Sequence, residues 1–256
     1  MSKYIHEEKI HNSEASEIIV PHVLNLLDID SVVDFGCGLG NFIKTFKDHG
    51  INEILGLDGP WVEEEKIFNN ISRKEFLVVD LESPIKLDKR YDLGICLEVV
   101  EHLSPEAERV IVESLVKASD IILFSAAIPE QGGQNHINEQ WLSHWARLFS
   151  EHEYIPVDIL RRKIWSDRRI KWWYRQNLIF FVSKDSKLAE HQTDALDIVH
   201  PELFSRKTDR IKEFQLMVQQ LKAKNNQLSE DYLKLKKQTK STYSAFKLFI
   251  KSIFKR

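Results

Sequence analysis

The stretch Val32-Val33-Asp34-Phe35-Gly36-Cys37-Gly38-Leu39-Gly40-Asn41-Phe42 decides how the chain is read. A short apolar run closes in three alternating glycines, and a helical pattern follows. This order predicts a buried strand, a tight turn, and a helix whose N-terminus faces a ligand. Glycine tolerates positive φ and has no Cβ, so backbone at such a turn can approach a bound molecule closely. The next apolar run, Ile54-Leu55-Gly56-Leu57-Asp58-Gly59, ends in an acid 22 residues after Gly36. A carboxylate there can accept both hydroxyls of a ribose. Two readings stand side by side, a nucleotide-type cofactor site and a purely structural turn. A dinucleotide fingerprint starting at Gly36 would need glycine at position 41, where Asn41 stands.

Outward from this stretch, the chain alternates between two patterns. Strands are expected over residues 30–35, 53–57, 75–79, 91–97 and 121–126, as continuous apolar runs. Helices are expected over 13–27 (with Pro21 inside), 41–49, 62–71, 105–118 and 139–150. Gly50 stands where a helix C-cap glycine is expected, and Ser104 where an N-cap precedes Pro105. Apolar strands alternating with helices argue an α/β fold with a mostly parallel sheet covered on both faces.

Four motifs in order resemble the class I S-adenosylmethionine (SAM) dependent methyltransferases. They are Asp34 with Gly36, Gly38 and Gly40; Asp58; Val79-Asp80-Leu81; and Tyr91-Asp92-Leu93-Gly94-Ile95-Cys96-Leu97-Glu98-Val99-Val100-Glu101-His102-Leu103. The last is similar to the fourth-strand motif of methyltransferases of quinone biosynthesis. The resemblance covers roughly residues 31–126. It implies a Rossmann-like, seven-stranded sheet ending in an antiparallel hairpin, here from residues 154–160 and 178–182. It also implies SAM as cofactor. Asp34 and the glycines would cradle its amino-acid end, Asp58 would hold the ribose, and Asp80 and Leu81 would lie at the adenine. Leu97 and Glu98 would lie beside the methionine part and His102 near the acceptor. Gly59 is expected to let the chain turn beside the adenosine. Asp80 could instead cap the next turn, and His102 could serve only the helix start after it.

The loop Ala126-Ala127-Ile128-Pro129-Glu130-Gln131-Gly132-Gly133-Gln134-Asn135-His136-Ile137-Asn138-Glu139-Gln140-Trp141 follows the fifth strand, at the edge where ligands bind in such sheets. His136 is a candidate base or acceptor ligand, or a loop histidine held by Asn138 or Glu139. Amides there suit hydrogen bonding to a polyhydroxylated acceptor. Residues 161–177 carry Trp165, Trp172, Trp173 and Tyr174 among many cations. Aromatic faces stack on sugars and arginine forks bind anions, although some of these cations can pair with the acidic domain. The glycine-rich loop, with Trp173-Tyr174-Arg175-Gln176-Asn177, resembles bacterial methyltransferases of surface-glycan and sugar modification. That resemblance implies O-methylation of a saccharide. A phenolic or quinone-like acceptor is the rival, and a non-catalytic scaffold a third reading. No tight carboxylate cluster demands a metal, so none is expected.

The 256 residues carry a net charge of −3, which argues against general nucleic-acid binding. No Asn/Asp-Pro-Pro-Tyr type motif follows the fourth strand. The charge is uneven: residues 207–256 hold eleven Lys and two Arg against two Asp and two Glu. This acidic-then-basic division separates a catalytic domain (1–185) and a polar linker (186–206) from a coiled coil (207–240) and a basic amphipathic tail (241–256). Ile211, Val218, Asn225, Tyr232 and Thr239 alternate at heptad spacing with Phe214, Leu221, Leu228 and Leu235. Asn225 among apolar residues favours a parallel two-stranded homodimer; the alternative is one helix folded back on the domain. In the tail, Phe246, Phe249, Ile250, Ile253 and Phe254 face away from Lys247, Lys251 and Lys255. Such a segment can lie on an anionic membrane, dock on a glycan-assembly partner, or cap the domain. The polar start, residues 1–10, is no secretory signal, and two cysteines without a disulfide or zinc spacing fit a reducing compartment. A cytoplasmic protein, peripheral on the inner membrane face, is the expectation.

Overall fold

The computed structural model describes residues 13–253; the polar start and Phe254, Lys255 and Arg256 lie outside them. Seven strands form one sheet: β1 (Ser31–Phe35), β2 (Glu53–Asp58), β3 (Phe76–Val78), β4 (Leu93–Leu97), β5 (Ile121–Ser125), β6 (Tyr154–Val157) and β7 (Ile179–Ser183). Their order is β3-β2-β1-β4-β5-β7-β6. The first five strands in chain order pair in parallel, and β7 runs antiparallel to both β5 and β6. The order reverses between β1 and β4, which opens a crevice at the carboxyl ends of those strands.

Every residue of β1 and β4 is buried. Successive side chains enter opposite cores, because strand side chains alternate. Val32, Ile95, Leu123 and Phe180 join the core beneath α1 (Glu14–Leu24) and α2 (Asn41–Asp48). Val33, Cys96, Phe124 and Phe181 join the other core. That second core packs under helices α4 (Glu108–Ala118) and α5 (Leu142–Ser150), which follow the short helix α3 (Glu64–Ile67) in the chain. Pro156 lies in β6, an edge strand that tolerates a missing donor.

Local expectations meet the structure unevenly. Gly50 has φ 99° and closes α2 with its N–H on Lys47 O, as a C-cap glycine should. Pro105 opens a 3-10 turn, but Ser104 makes no side-chain cap; its N–H donates instead to Glu82 Oε1 at 2.7 Å. The helix expected over 62–71 shrinks to the single turn of α3. Residues 161–177 form two short helices, α6 (Arg161–Ile164) and α7 (Trp172–Asn177). The polar segment read as a linker carries a 3-10 turn, Lys187–His191, and buries Leu196, His200 and Leu203. Three scattered anchors give no periodicity to read.

The chain divides at Leu203 into a sheet-bearing unit and a second unit from Phe204. The second is the greater part of one unbroken helix, α8 (Pro201–Ile253), so the heptad segment and the tail as far as Ile253 are one element. Ile211, Phe214, Val218, Leu221, Leu228, Tyr232 and Leu235 are exposed along it. Among the described residues no helix is long and apolar enough to cross a membrane.

Candidate active site

The turn after β1 uses all three of its glycines in the left-handed region: Gly36 at φ 82°, Gly38 at 53° and Gly40 at 75°. Gly36 also lies against the segment after β4, where an added Cβ would stand 2.4 Å from Val99 Cγ2. Its N–H and that of Cys37 donate to Leu57 O, binding the turn to β2. Asp34, inside β1, is buried. Burial, reinforced by the charge of Asp58, pushes its carboxyl up to about 8. Asp58 closes the loop from the other side: Oδ2 accepts from Gly38 N at 2.7 Å and Oδ1 from Gly59 N at 2.6 Å. Burial raises its pKa, and those two N–H bonds, with a third bond from the Trp61 side chain, hold it back. A carboxylate offers about four acceptor positions, and Gly38, Gly59 and the Trp61 side chain use three, so Asp58 retains capacity for one further hydroxyl. Asp34, the Cβ-free turn and Asp58 thus converge at the β1–β4 crevice and fit the amino-acid and ribose ends of SAM.

Other expected cofactor residues divide. Gly59 stays outside the left-handed region; what it provides is room for Trp61, whose ring lies 2.2 Å from where a Cβ would be. Asp80 is exposed and caps its own turn, accepting from Glu82 N at 3.1 Å and Ser83 Oγ at 2.8 Å. The side chains of Leu81 and Leu97 are buried in the two cores.

Glu98, directly after β4, is the hub of a buried polar network. Its backbone sits at φ 53°, a strained value for a residue with a Cβ. Its N–H donates to Ser125 O, its Oε2 accepts from Gln131 Nε2 at 3.0 Å, and its Oε1 accepts from Asn177 Nδ2 at 3.0 Å. Gln131 Oε1 accepts in turn from Asn177 Nδ2 and Gln176 Nε2. Burial raises the Glu98 pKa against these bonds. Two of the loop's amides are therefore committed inward, since Asn138 also donates to Glu108 Oε1 at 3.0 Å.

One turn further on, Glu101 is fully buried. Neither carboxyl oxygen has a hydrogen bond of full geometry among the described residues, although the N–H groups of Glu101 and Ala127 and the Glu98 carboxyl act on the group. Burial, and then the charge of Glu98, raise its pKa well above the carboxylate range. Its carbonyl oxygen accepts from Ile137 N and Asn138 N, which pins the loop after β5 against it. This brings together the two histidines read from sequence: the rings of His102 and His136 meet edge to face at 4.9 Å. His136 Nδ1 lies 2.8 Å from Glu139 Oε1, and His102 Nδ1 is 3.4 Å from Asn135 O. The sequence reading missed Glu101 and Asn177 as site residues, offered Gln131 to an acceptor rather than to Glu98, and named Glu139 as a holder of His136, as it is here. The spacing Glu98-x-x-Glu101-His102 was the available signal.

Two of the seven cations of residues 161–177 turn inward, while Arg162, Lys163, Arg168 and Arg169 stay exposed. Arg161, buried, bonds Asp158 and the carbonyls of Gln176, Ala195 and Leu196. Arg175, also buried, bonds the carbonyls of Trp165 and Ile170 and the Glu202 carboxylate. Trp172 is buried with Ile128 and Leu203. These side chains hold the insertion in place rather than present an anion site.

A family model described as "Methyltransferase domain" matches residues 15–177. The chain belongs to the methyltransferase domain family. It is a class I SAM-dependent methyltransferase, an enzyme whose cofactor supplies a methyl group on a positively charged sulfur. No curated protein matches this methyltransferase. Among solved structures it is similar to the methyltransferase domain of bacterial CtHen1, at 19% identity and TM-score 0.48 over 66% of this chain and 98% of that one. It is also similar to a SAM-dependent methyltransferase from Archaeoglobus fulgidus, at 20% identity and TM-score 0.47 over 58% and 72%. A third is the magnesium protoporphyrin IX methyltransferase from Synechocystis, at 15% identity and TM-score 0.47 over 67% and 81%.

Proposed function

We propose that this methyltransferase transfers the methyl group to a hydroxyl of a saccharide or glycan. The observation that carries this reading is the His102–His136 pair at the carboxyl ends of β4 and β5, with His136 held by Glu139. A hydroxyl must lose its proton as the new C–O bond forms, and imidazole handles a proton near neutral pH. Around the pair, the exposed Gln134 and Asn135 offer hydrogen bonds and the exposed Trp141 offers a stacking face. That combination suits a sugar. The chain's own task is to align acceptor and methyl and to keep water out.

In this reading, the exposed heptad stripe of α8 pairs two copies as a parallel coiled coil, with Asn225 setting the register. Phe246, Phe249, Ile250 and Ile253, opposite Lys247 and Lys251, place the dimer at an anionic cytoplasmic membrane face or on a glycan-assembly partner. No role on nucleic acid is assigned.

The test is incubation with isotope-labelled SAM and the polar and lipid-linked glycans of the host, followed by mass spectrometry. Label in a saccharide is expected. Label confined to an apolar aromatic metabolite overturns the saccharide reading. His136→Ala should lower turnover and leave SAM affinity nearly intact; wild-type turnover removes His136 from the acceptor end.

A further inference from the structure

We infer that Glu101, His102 and His136 form a binding site for a divalent first-row transition metal ion. One ligand atom of each lies within 4.8 Å of those of the other two. Donors bound to such an ion at about 2.1 Å stand about 3.0–4.2 Å apart, so a small side-chain adjustment closes the set around one ion. The independent observation is Glu101 itself, a fully buried carboxyl group with no side-chain cation and no hydrogen bond of full geometry on either oxygen among the described residues. Only the N–H groups of Glu101 and Ala127 and the Glu98 carboxyl act on it. Leaving a carboxylate so is costly in a folded protein. A cation shared with two imidazoles removes that cost.

The surroundings are built for coordination. Glu139 engages His136 Nδ1 at 2.8 Å, which leaves Nε2 as the coordinating nitrogen and orients the ring, as carboxylates do behind metal-bound histidines. Gly133 keeps that nitrogen clear: a Cβ there would stand 2.1 Å from Nε2. The donations from Ile137 N and Asn138 N to Glu101 O fix the loop that carries His136 beside the residue that carries the carboxylate. Mixed nitrogen and oxygen donors select manganese, iron, cobalt or zinc over magnesium or calcium, which prefer oxygen alone.

The role of the ion rests on the proposed acceptor reading. It would hold the acceptor oxygen and lower its pKa. The hydroxyl proton goes to water, the oxygen forms its bond to the methyl carbon, and the S–CH3 electron pair stays on sulfur. A saccharide offers adjacent hydroxyls that can chelate such an ion, which narrows the acceptor class to a vicinal diol.

The experiment titrates the full-length, untagged, metal-stripped protein with Co2+, read by visible absorption, and with Mn2+, read by calorimetry. One saturable site is expected, weakened at least tenfold in Glu101→Gln and in His136→Ala. Thermal unfolding of the metal-free variants checks their fold, and Glu139→Gln serves as a milder third variant that should weaken binding less. Saturating Mn2+ should raise the unfolding temperature of the wild type and not of Glu101→Gln. Absence of saturable binding, or binding undiminished in folded Glu101→Gln and His136→Ala, overturns the site. Tight binding without transfer to any saccharide upholds the site and sinks the acceptor reading. Saccharide methylation unaffected by a chelator, with no binding, does the reverse.

Discussion

Replacing Gly36 by alanine tests whether the cofactor loop is braced by the segment after β4. Two costs add at this position. An L-residue held at φ 82° costs about 1–2 kcal/mol. A Cβ placed 2.4 Å from Val99 Cγ2 and 2.7 Å from Cγ1 forces overpacking worth about 1–3 kcal/mol. The sum is about 2–5 kcal/mol. Gly40 is the control: it too is left-handed, at φ 75°, but its added Cβ would meet Ile67 at an ordinary 3.6 Å. Gly40→Ala should therefore cost only the backbone strain, about 1–2 kcal/mol. With about 2.1 cal/mol/K of unfolding entropy per residue over roughly 190 residues, Gly36→Ala lowers Tm by about 5–12 °C and Gly40→Ala by about 2–5 °C. Val99→Ala removes both methyl groups and leaves Cβ as the nearest atom, at 3.1 Å, so the double variant should regain about 1–2 kcal/mol relative to additivity. Urea unfolding followed by tryptophan fluorescence is the assay. All six tryptophans precede residue 204, so the signal reports the sheet-bearing unit alone. Equal costs at Gly36 and Gly40, with no coupling to Val99, would refute the brace.

Three further outcomes are expected. The Asp34 carboxyl, at 3.8 when unfolded and about 8 when folded, keeps a proton across that window that the unfolded chain has lost. Its contribution is fully present below about 3.8, fades as pH rises, and is gone above about 8. Asp34→Asn should flatten this slope in the cofactor-free protein, and a pH-independent difference between the two proteins would refute the buried, protonated carboxyl. Asp58→Ala removes the anchor of Gly38 and Gly59 together with the ribose acceptor and should weaken SAM binding tenfold or more; unchanged calorimetric affinity excludes that role. Truncation after Lys207 keeps the buried Leu203 and removes the heptads, so light scattering should find one chain per particle where the full-length protein has two, and an unchanged number of chains discards the α8 dimer.

The sheet was legible because its signals are local. Short, mostly apolar runs such as Val32–Phe35 and Ile121–Ser125, bounded by turn residues, read as strands buried on both faces, and glycine spacing after β1 reports backbone dihedrals directly. The acid ending β2 was legible for the same reason, since its position follows from strand length. The extent of α8 was less so: a heptad pattern states which face is apolar, but not that 53 residues continue as one helix.

Sequence by itself therefore determined the β–α alternation, the glycine turn, Asp34 and Asp58, and with them the methyltransferase family. Only the tertiary structure decided what the polar residues do. Gln131 and Asn138, read as groups offered to an acceptor, are spent on Glu98 and Glu108, Arg161 on the carbonyls of Ala195 and Leu196, and Arg175 on the Glu202 carboxylate. Likewise it is the docking of the loop after β5 on Glu101 O that brings His136 to His102 across more than thirty residues. The physical reason is range. Apolar periodicity records which way each side chain points within its own element, whereas a buried polar group is satisfied by whatever donor or acceptor the fold delivers to it.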